Sequence, residues 1–108
     1  MTISLPAAIA AYFDANSRLD VDSMLAPFAE DALVTDEGRA IRGREAIRAW
    51  IVSASVGNKA VARPRSCVTD GVDRIVTAEV TGEFPGSPVT LGFRFALDGD
   101  RIVRLEIR

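Results

Sequence analysis

The sequence predicts an α+β fold in which three N-terminal helices pack on a curved, mostly antiparallel sheet of about six strands. Apolar residues recur at helical spacing over most of the chain up to Val56, and they alternate with polar residues from Lys59 onward. Short Asp-Gly turn sequences divide the second half into strands. We therefore expect a helical layer laid on a sheet, since each then buries the apolar face of the other.

The first helix is predicted over residues 6–18, with Tyr12 and Phe13 on its apolar side and Pro6 in its first turn. Asp20 can cap a second, shorter helix that turns Phe28 inward at its end. The third helix begins near Gly43 and is stopped by Gly57. Its buried side is predicted to carry Ile47, Trp50, Ile51 and Ala54.

The strand pattern begins at Ala32–Asp36, and Glu37-Gly38 is a tight turn that leads into a short return strand over residues 39–41. Two hairpins follow. Their predicted strands cover residues 60–69, 74–82, 89–97 and 102–108. In the first hairpin, an even register would place Arg63 opposite Glu79 and Arg65 opposite Thr77.

The bulk composition excludes several function classes. The chain has 108 residues, 48% of them hydrophobic, and a net charge of −2, which suits one domain over residues 1–108 with a single core. No basic patch predicts a nucleic-acid partner. No apolar run approaches the roughly 18 residues of a membrane helix, and no basic residue precedes Arg18 as in a secretory signal. We expect a cytoplasmic protein without a membrane partner.

Histidine is absent, and Cys67 is the only cysteine. Catalysis by Ser-His-Asp or Cys-His groups and histidine-ligated metal sites are therefore excluded. We predict no metal site and no cofactor. Cys67 fits a packed small hydrophobic residue better than a nucleophile, since no histidine is present to activate it. Proton transfer would have to use Asp, Glu, Tyr, Arg, Lys or water.

Four stretches carry a resemblance to a known family. They are Phe28–Ala32 (FAEDA), Asp36 at the end of the first strand, Arg42–Ile47 (RGREAI) and Leu97–Ile102 (LDGDRI). With this order and spacing, the whole chain resembles the nuclear-transport-factor-2-like superfamily, and within it the SnoaL-like small proteins. The resemblance implies a cone-shaped α+β barrel with an apolar pocket, built into a homodimer through the outer face of the sheet.

Relatives of this kind include polyketide cyclases, ketosteroid isomerase, scytalone dehydratase and limonene epoxide hydrolase, beside members without known activity. Because one scaffold hosts several chemistries, the fold alone does not transfer a function. The histidine–aspartate pair of several relatives cannot form here, since the chain has no histidine. This argues against a scytalone-dehydratase-like mechanism and weakens a cyclase assignment that depends on histidine.

Asp36 and Tyr12 are the candidate catalytic residues. The resemblance places Asp36 at a polar pocket position, where a carboxylate that loses solvation becomes a better base. Alternatively, Asp36 accepts hydrogen bonds from the turn at Glu37-Gly38. Tyr12, the only tyrosine, could donate a hydrogen bond to a carbonyl or enolate oxygen, or it could be a core residue with its hydroxyl at the edge.

A small apolar or aromatic ligand would be held by large apolar side chains. The candidates are Phe13, Phe28, Val34, Trp50, Phe84, Phe93 and Phe95. Trp50 is either pocket wall or core. The loop Phe84–Pro88 could cover the mouth of the cavity, or its prolines could simply end one strand and begin the next.

Glu79, Arg94 and Glu106 lie at polar positions of otherwise apolar strands. If their face lines the cavity, Glu79 or Glu106 is an acid/base candidate and Arg94 could bind an anion. If it is the outer face of the sheet, the three residues are solvent-exposed or intersubunit pairs. The phase of Phe93 and Phe95 favours the outer face for Arg94 and Glu106.

Three hypotheses remain. The first is a cofactor-independent isomerase, cyclase or hydratase that acts on an apolar, polyketide-like or steroid-like metabolite by carboxylate chemistry. The second is a non-catalytic ligand-binding module. The third is an interaction protein that works through its dimerising sheet face.

Overall fold

Three helices lie against a curved six-stranded sheet in the computed structural model, which describes residues 3–108. The helices are α1 (Ala7–Ser17), α2 (Val21–Leu25) and α3 (Arg44–Ile51). The strands are β1 (Phe28–Asp36), β2 (Arg39–Arg42), β3 (Val61–Asp70), β4 (Asp73–Thr81), β5 (Val89–Asp98) and β6 (Arg101–Ile107). The predicted α+β class, helix number and strand number are confirmed.

The sheet has the strand order β2-β1-β6-β5-β4-β3. All neighbouring strands are antiparallel except β1 and β6, which run parallel. Within residues 3–108, β2 and β3 are unpaired at their outer edges, so the sheet curves but does not close. The expected cone is therefore an open, curved sheet rather than a complete barrel.

The first two helices follow their sequence signals, but the entry into β1 differs. Asp20 caps α2 as predicted, its Oδ1 accepting a hydrogen bond from the Ser23 amide at 3.2 Å. Phe28, expected at the end of that helix, instead opens β1. The reason is a long-range contact, because the Pro27 carbonyl already accepts a 2.9 Å hydrogen bond from the Ile102 amide of β6.

The third helix changes its winding after Ile51. Residues Val52–Val56 form a π-helical turn, which closes with a 2.8 Å hydrogen bond from the Gly57 amide to the Val52 carbonyl. The predicted stop at Gly57 is confirmed, but the last turn is not α-helical. None of the helices within residues 3–108 is long and apolar enough to cross a membrane.

The β3–β4 hairpin confirms half of the predicted register. Arg63 lies opposite Glu79 as expected. Arg65 does not face Thr77, because the register shifts between Pro64 and Ser66 and leaves Arg65 as the extra residue of a bulge. Pro64 has no amide hydrogen to donate to the ladder, which is why a strand tolerates proline at such a point.

Between the helices and the sheet lies a core with five aromatic rings. Tyr12 and Phe13 of α1 contact each other edge-on, with ring centroids 5.2 Å apart, and they contact Phe28, Phe93 and Phe95 edge-on at 5.3–5.8 Å.

The opposite face of the sheet is polar. Arg94 lies there, with its Nε donating to Asp73 Oδ2 at 2.9 Å, and Glu79 pairs with Arg65 at 3.0 Å. Glu106 lies beside Arg94 across the β5–β6 pair. The structure therefore places all three polar positions on the outer face of the sheet, and none of them lines a cavity on the helix-covered side.

Candidate functional site

A small cavity of about 90 Å³ opens where α1, α3 and the π-helical turn meet the sheet. We call it the inner cavity. Its walls are mostly apolar and are formed by Tyr12, Asn16, Asp36, Trp50, Ala54, Ser55, Ala60, Ala62, Val80, Leu91, Phe93 and Ile107. Among the described lining residues, the one carboxylate belongs to Asp36.

Asp36 is the last residue of β1, immediately before the tight turn formed by Glu37 and Gly38, which both have positive φ. Its Oδ2 accepts a 2.9 Å hydrogen bond from Trp50 Nε1. Within residues 3–108 the turn amides make no such bond to this side chain, so the alternative of a turn acceptor is not what the structure shows. The indole fixes the half-buried carboxylate in the cavity wall.

Tyr12 reaches the inner cavity from α1 and is only 3% exposed. Burial, and to a lesser extent the negative charge of Asp36, raises the pKa of the Tyr12 hydroxyl well above its ordinary value. This hydroxyl makes no hydrogen bond within residues 3–108, and no side-chain polar atom in that range is both enclosed and unpaired. It is therefore a protonated donor open to the cavity.

Asn16, one helical turn beyond Tyr12, has a structural task. Its Nδ2 donates to the Ala60 carbonyl at 2.9 Å, and its Oδ1 accepts from the Ala62 amide at 2.7 Å. These two bonds join α1 to the start of β3 and leave the amide little capacity for a ligand. The sequence gives one signal for this role, a polar residue on the apolar side of a helix.

A second, wider cavity of about 500 Å³ adjoins the first, and we call it the outer cavity. It shares Asp36 and Trp50 with the inner cavity and is bounded on the far side by the loop at Phe84. The Gly82 amide donates a 3.0 Å hydrogen bond to Ser87 Oγ, which ties the two ends of this loop together. The two cavities are therefore adjacent and share part of their walls.

Of the nine residues predicted for the site, the structure brings five together. Tyr12, Asp36, Trp50 and Phe93 line the inner cavity, and Phe84 lines the outer one, as do Asp36 and Trp50. The other four are at most 4% exposed in the aromatic core or beside it and are not part of either lining. These are Phe13, Phe28, Val34 and Phe95. Periodicity marks a buried side chain but does not tell core from cavity wall.

The family model of the SnoaL-like domain matches residues 9–105 of the chain. The chain belongs to the SnoaL-like domain family. None of the curated proteins matches this SnoaL-like chain.

Solved structures agree with the family. A protein from Sinorhizobium meliloti, provisionally named a polyketide cyclase, is 45% identical, with 96% of this chain and 95% of that chain covered and a TM-score of 0.90. Two more distant structures show the shared fold. A Catenulispora acidiphila protein with a ketosteroid-isomerase-like fold is 18% identical, with coverages of 97% and 86% and a TM-score of 0.82. An NTF2-like protein from Cytophaga hutchinsonii is 11% identical, with coverages of 100% and 91% and a TM-score of 0.80.

Proposed function

We propose that this SnoaL-like protein is a cofactor-independent enzyme that moves a proton on an apolar carbonyl compound, as an isomerase, cyclase or hydratase does. One observation carries the proposal. The Asp36 carboxylate lies in the wall of both cavities, is oriented by Trp50, and shares the inner cavity with the unpaired hydroxyl of Tyr12. A base and a hydrogen-bond donor in one apolar space are what enolisation requires.

The proposed step begins with Asp36 as the general base. It removes a proton from the carbon next to a ketone, and the electron pair of that C–H bond becomes the enolate, whose oxygen accepts a hydrogen bond from Tyr12. In an isomerase, Asp36 returns the proton to a different carbon. In a cyclase, the enolate carbon attacks a second carbonyl of the same molecule, and the alkoxide that forms takes the proton back from Asp36. An apolar cavity strengthens the hydrogen bond to the enolate, because few water molecules compete.

Two further observations support a ligand of this class. The outer cavity, at about 500 Å³, falls in the range of about 300–1,000 Å³ that is usual for small-molecule sites. The 45% identical protein from Sinorhizobium meliloti, provisionally named a polyketide cyclase, covers nearly the whole chain. Polyketides are rich in ketones with acidic neighbouring C–H groups, which is the chemistry that Asp36 would serve.

NMR in D₂O can measure how fast the methyl protons of acetophenone are replaced by deuterium. The wild-type protein should accelerate this exchange, and Asp36→Asn should lower the acceleration by about 10²-fold or more, the usual contribution of a general base. Asp31→Asn is the matched control, since it makes the same chemical change on an exposed residue of the same strand. Asp31→Asn should accelerate the exchange of acetophenone protons as much as the wild type does.

Equal exchange rates for Asp36→Asn and the wild type would remove Asp36 from the mechanism. If the wild-type protein binds acetophenone but does not accelerate exchange, the enzymatic proposal fails and the non-catalytic binding module takes its place.

A further inference from the structure

Two hydroxyl groups in the inner cavity have no hydrogen-bond partner among residues 3–108. Ser55 in the π-helical turn is 8% exposed, and like Tyr12 it makes no side-chain hydrogen bond within residues 3–108. Since no enclosed side-chain polar atom in that range is unpaired, the Ser55 hydroxyl also opens onto the cavity. A hydroxyl that faces the cavity without a protein partner can bind a polar atom that enters.

The remaining polar groups of the inner cavity are already engaged. The Asn16 amide holds the backbone of Ala60 and Ala62, and one oxygen of Asp36 is held by Trp50. The backbone of Ser55 is itself fixed, because its carbonyl accepts a 2.8 Å hydrogen bond from the Ala60 amide. Within residues 3–108, the hydroxyl groups of the inner cavity that have no protein partner are therefore those of Tyr12 and Ser55, and a carbonyl oxygen has lone pairs for two such bonds.

Charge and volume restrict what can enter. The carboxylate of Asp36 disfavours an anionic group in the same apolar space. The inner cavity, at about 90 Å³, is smaller than an enclosed cavity of about 150 Å³ that holds benzene, which favours a small group over an aromatic ring. The outer cavity, at about 500 Å³, has room for one.

We infer that Ser55 and Tyr12 together bind the neutral oxygen of the ligand, and that the inner cavity admits only a small oxygen-bearing end such as an acetyl group. The apolar body of the ligand stays in the outer cavity, between Trp50 and Phe84. This rests on the proposed function and names its substrate class, which is apolar ketones with a small group beside the carbonyl. Fused-ring ketones with the carbonyl inside a ring are excluded.

The chain offers its own probe for binding. Trp50 is the only tryptophan, and its indole N–H bonds Asp36 in the site, so its single cross-peak in a ¹H–¹⁵N spectrum reports ligand entry. Acetophenone and ethylbenzene are titrated against the wild type, Ser55→Ala and Ser66→Ala. Ser66 is exposed on β3 and serves as the control for the same substitution.

Loss of one hydrogen bond should weaken acetophenone binding to Ser55→Ala by about fivefold to tenfold. Ethylbenzene, which has the same shape without the oxygen, should bind the wild type and Ser55→Ala equally, which also shows that the variant is folded. Benzophenone, with a phenyl group on both sides of the carbonyl, should bind the wild type more than about tenfold more weakly than acetophenone.

The inference is overturned if Ser55→Ala binds acetophenone like the wild type, if ethylbenzene binds the wild type as well as acetophenone does, or if neither binds. Its failure is distinct from failure of the proposed function. Asp36-dependent proton exchange with unchanged binding by Ser55→Ala would contradict only the role of Ser55. Ser55-dependent binding without exchange would contradict only the catalysis.

Discussion

At the scale of single residues, Tyr12 shows how one side chain can serve both packing and chemistry. Its ring contacts Phe13, Phe28 and Phe95 in the aromatic core, while its hydroxyl reaches the inner cavity near Asp36. The ring of Tyr12 is thus a core residue, while its hydroxyl lies where a cavity donor would have to be. Burial of the ring holds the hydroxyl in place, and burial together with the negative charge of Asp36 raises its pKa.

The titration of Tyr12 predicts a loss of stability at alkaline pH. The unfolded chain releases the phenolic proton near the ordinary pKa of 10.0, while the folded chain retains it because burial and Asp36 raise the pKa. Above about pH 10 the unfolded state therefore binds fewer protons, and the free energy of unfolding should fall by up to about 1.4 kcal/mol per pH unit. Below about pH 9 the effect should vanish, since both states are protonated.

Urea unfolding of the wild type and Tyr12→Phe between pH 7 and pH 11 checks this expectation. In Tyr12→Phe, the free energy of unfolding should fall less steeply above about pH 10, because the variant has no phenol to titrate. Tyr12 is the only tyrosine, so phenolate absorbance in the wild type reports this residue alone. A phenolate signal that appears near pH 10 in the folded wild-type protein would show that the hydroxyl is not buried as described.

At the scale of elements, the mouth of the site depends on a close crossing of two chain segments. Gly82 follows β4 and passes over the segment that joins the π-helical turn to β3. A Cβ atom at Gly82 would lie 2.7 Å from the Asn58 carbonyl oxygen and 2.9 Å from the Ala60 Cα, both of them backbone atoms. Only glycine therefore lets these segments approach, and Asn16 holds the same segment from the other side.

We expect Gly82→Ala to lower the free energy of unfolding by about 1–3 kcal/mol, the usual cost of forcing an atom into a packed place. Gly92→Ala on β5 is the control. The nearest heavy atom to its new Cβ is 4.0 Å away, so the change should stay within about 1 kcal/mol and can even stabilise. Chemical denaturation of both variants measures the difference, and equal stabilities would mean that the crossing relaxes freely.

At the scale of the whole molecule, the sheet has one face under the helices and another open to solvent. On the open face, Asp73 accepts from Arg94 at 2.9 Å and from Arg104 at 3.2 Å, which links β4, β5 and β6. Beside this network lies a hollow of about 350 Å³ at Ile75 and Gly92. This face combines half-buried apolar residues with charges of both signs, so it can pair with a second copy of itself. A two-fold dimer joins the same patch of both subunits and therefore requires such a surface.

We propose that two copies associate through this outer face. The wild-type protein should then have twice the mass of the monomer. Thr77→Arg, near the middle of the outer face on β4, should be monomeric, because the dimer would place two unpaired cations close together. Val72→Arg, at an exposed hairpin turn, should leave the dimer intact. Sedimentation equilibrium at micromolar concentration decides, and a monomeric wild type would contradict the proposal.

Local sequence signals explain the elements whose contacts are local. The spacing around Tyr12 predicts α1 within a residue at each end, and Glu37-Gly38 predicts the β1–β2 turn. Local sequence signals do not predict features that depend on residues far away in the chain. Phe28 belongs to β1 because β6 pairs with it, and Arg65 leaves its register because of a bulge in a long hairpin.

The sequence by itself determined the α+β class, the absence of histidine chemistry and the candidate pair Asp36 and Tyr12. Only the tertiary structure decided which buried residues border empty space. Phe28 and Phe95 have the same apolar pattern as Phe93, yet only Phe93 lines the cavity. Likewise, Ser55 gains its position from the π-helical turn and the packing around it. Periodicity reports which side of an element is buried, whereas a cavity is the gap that remains when several elements pack together.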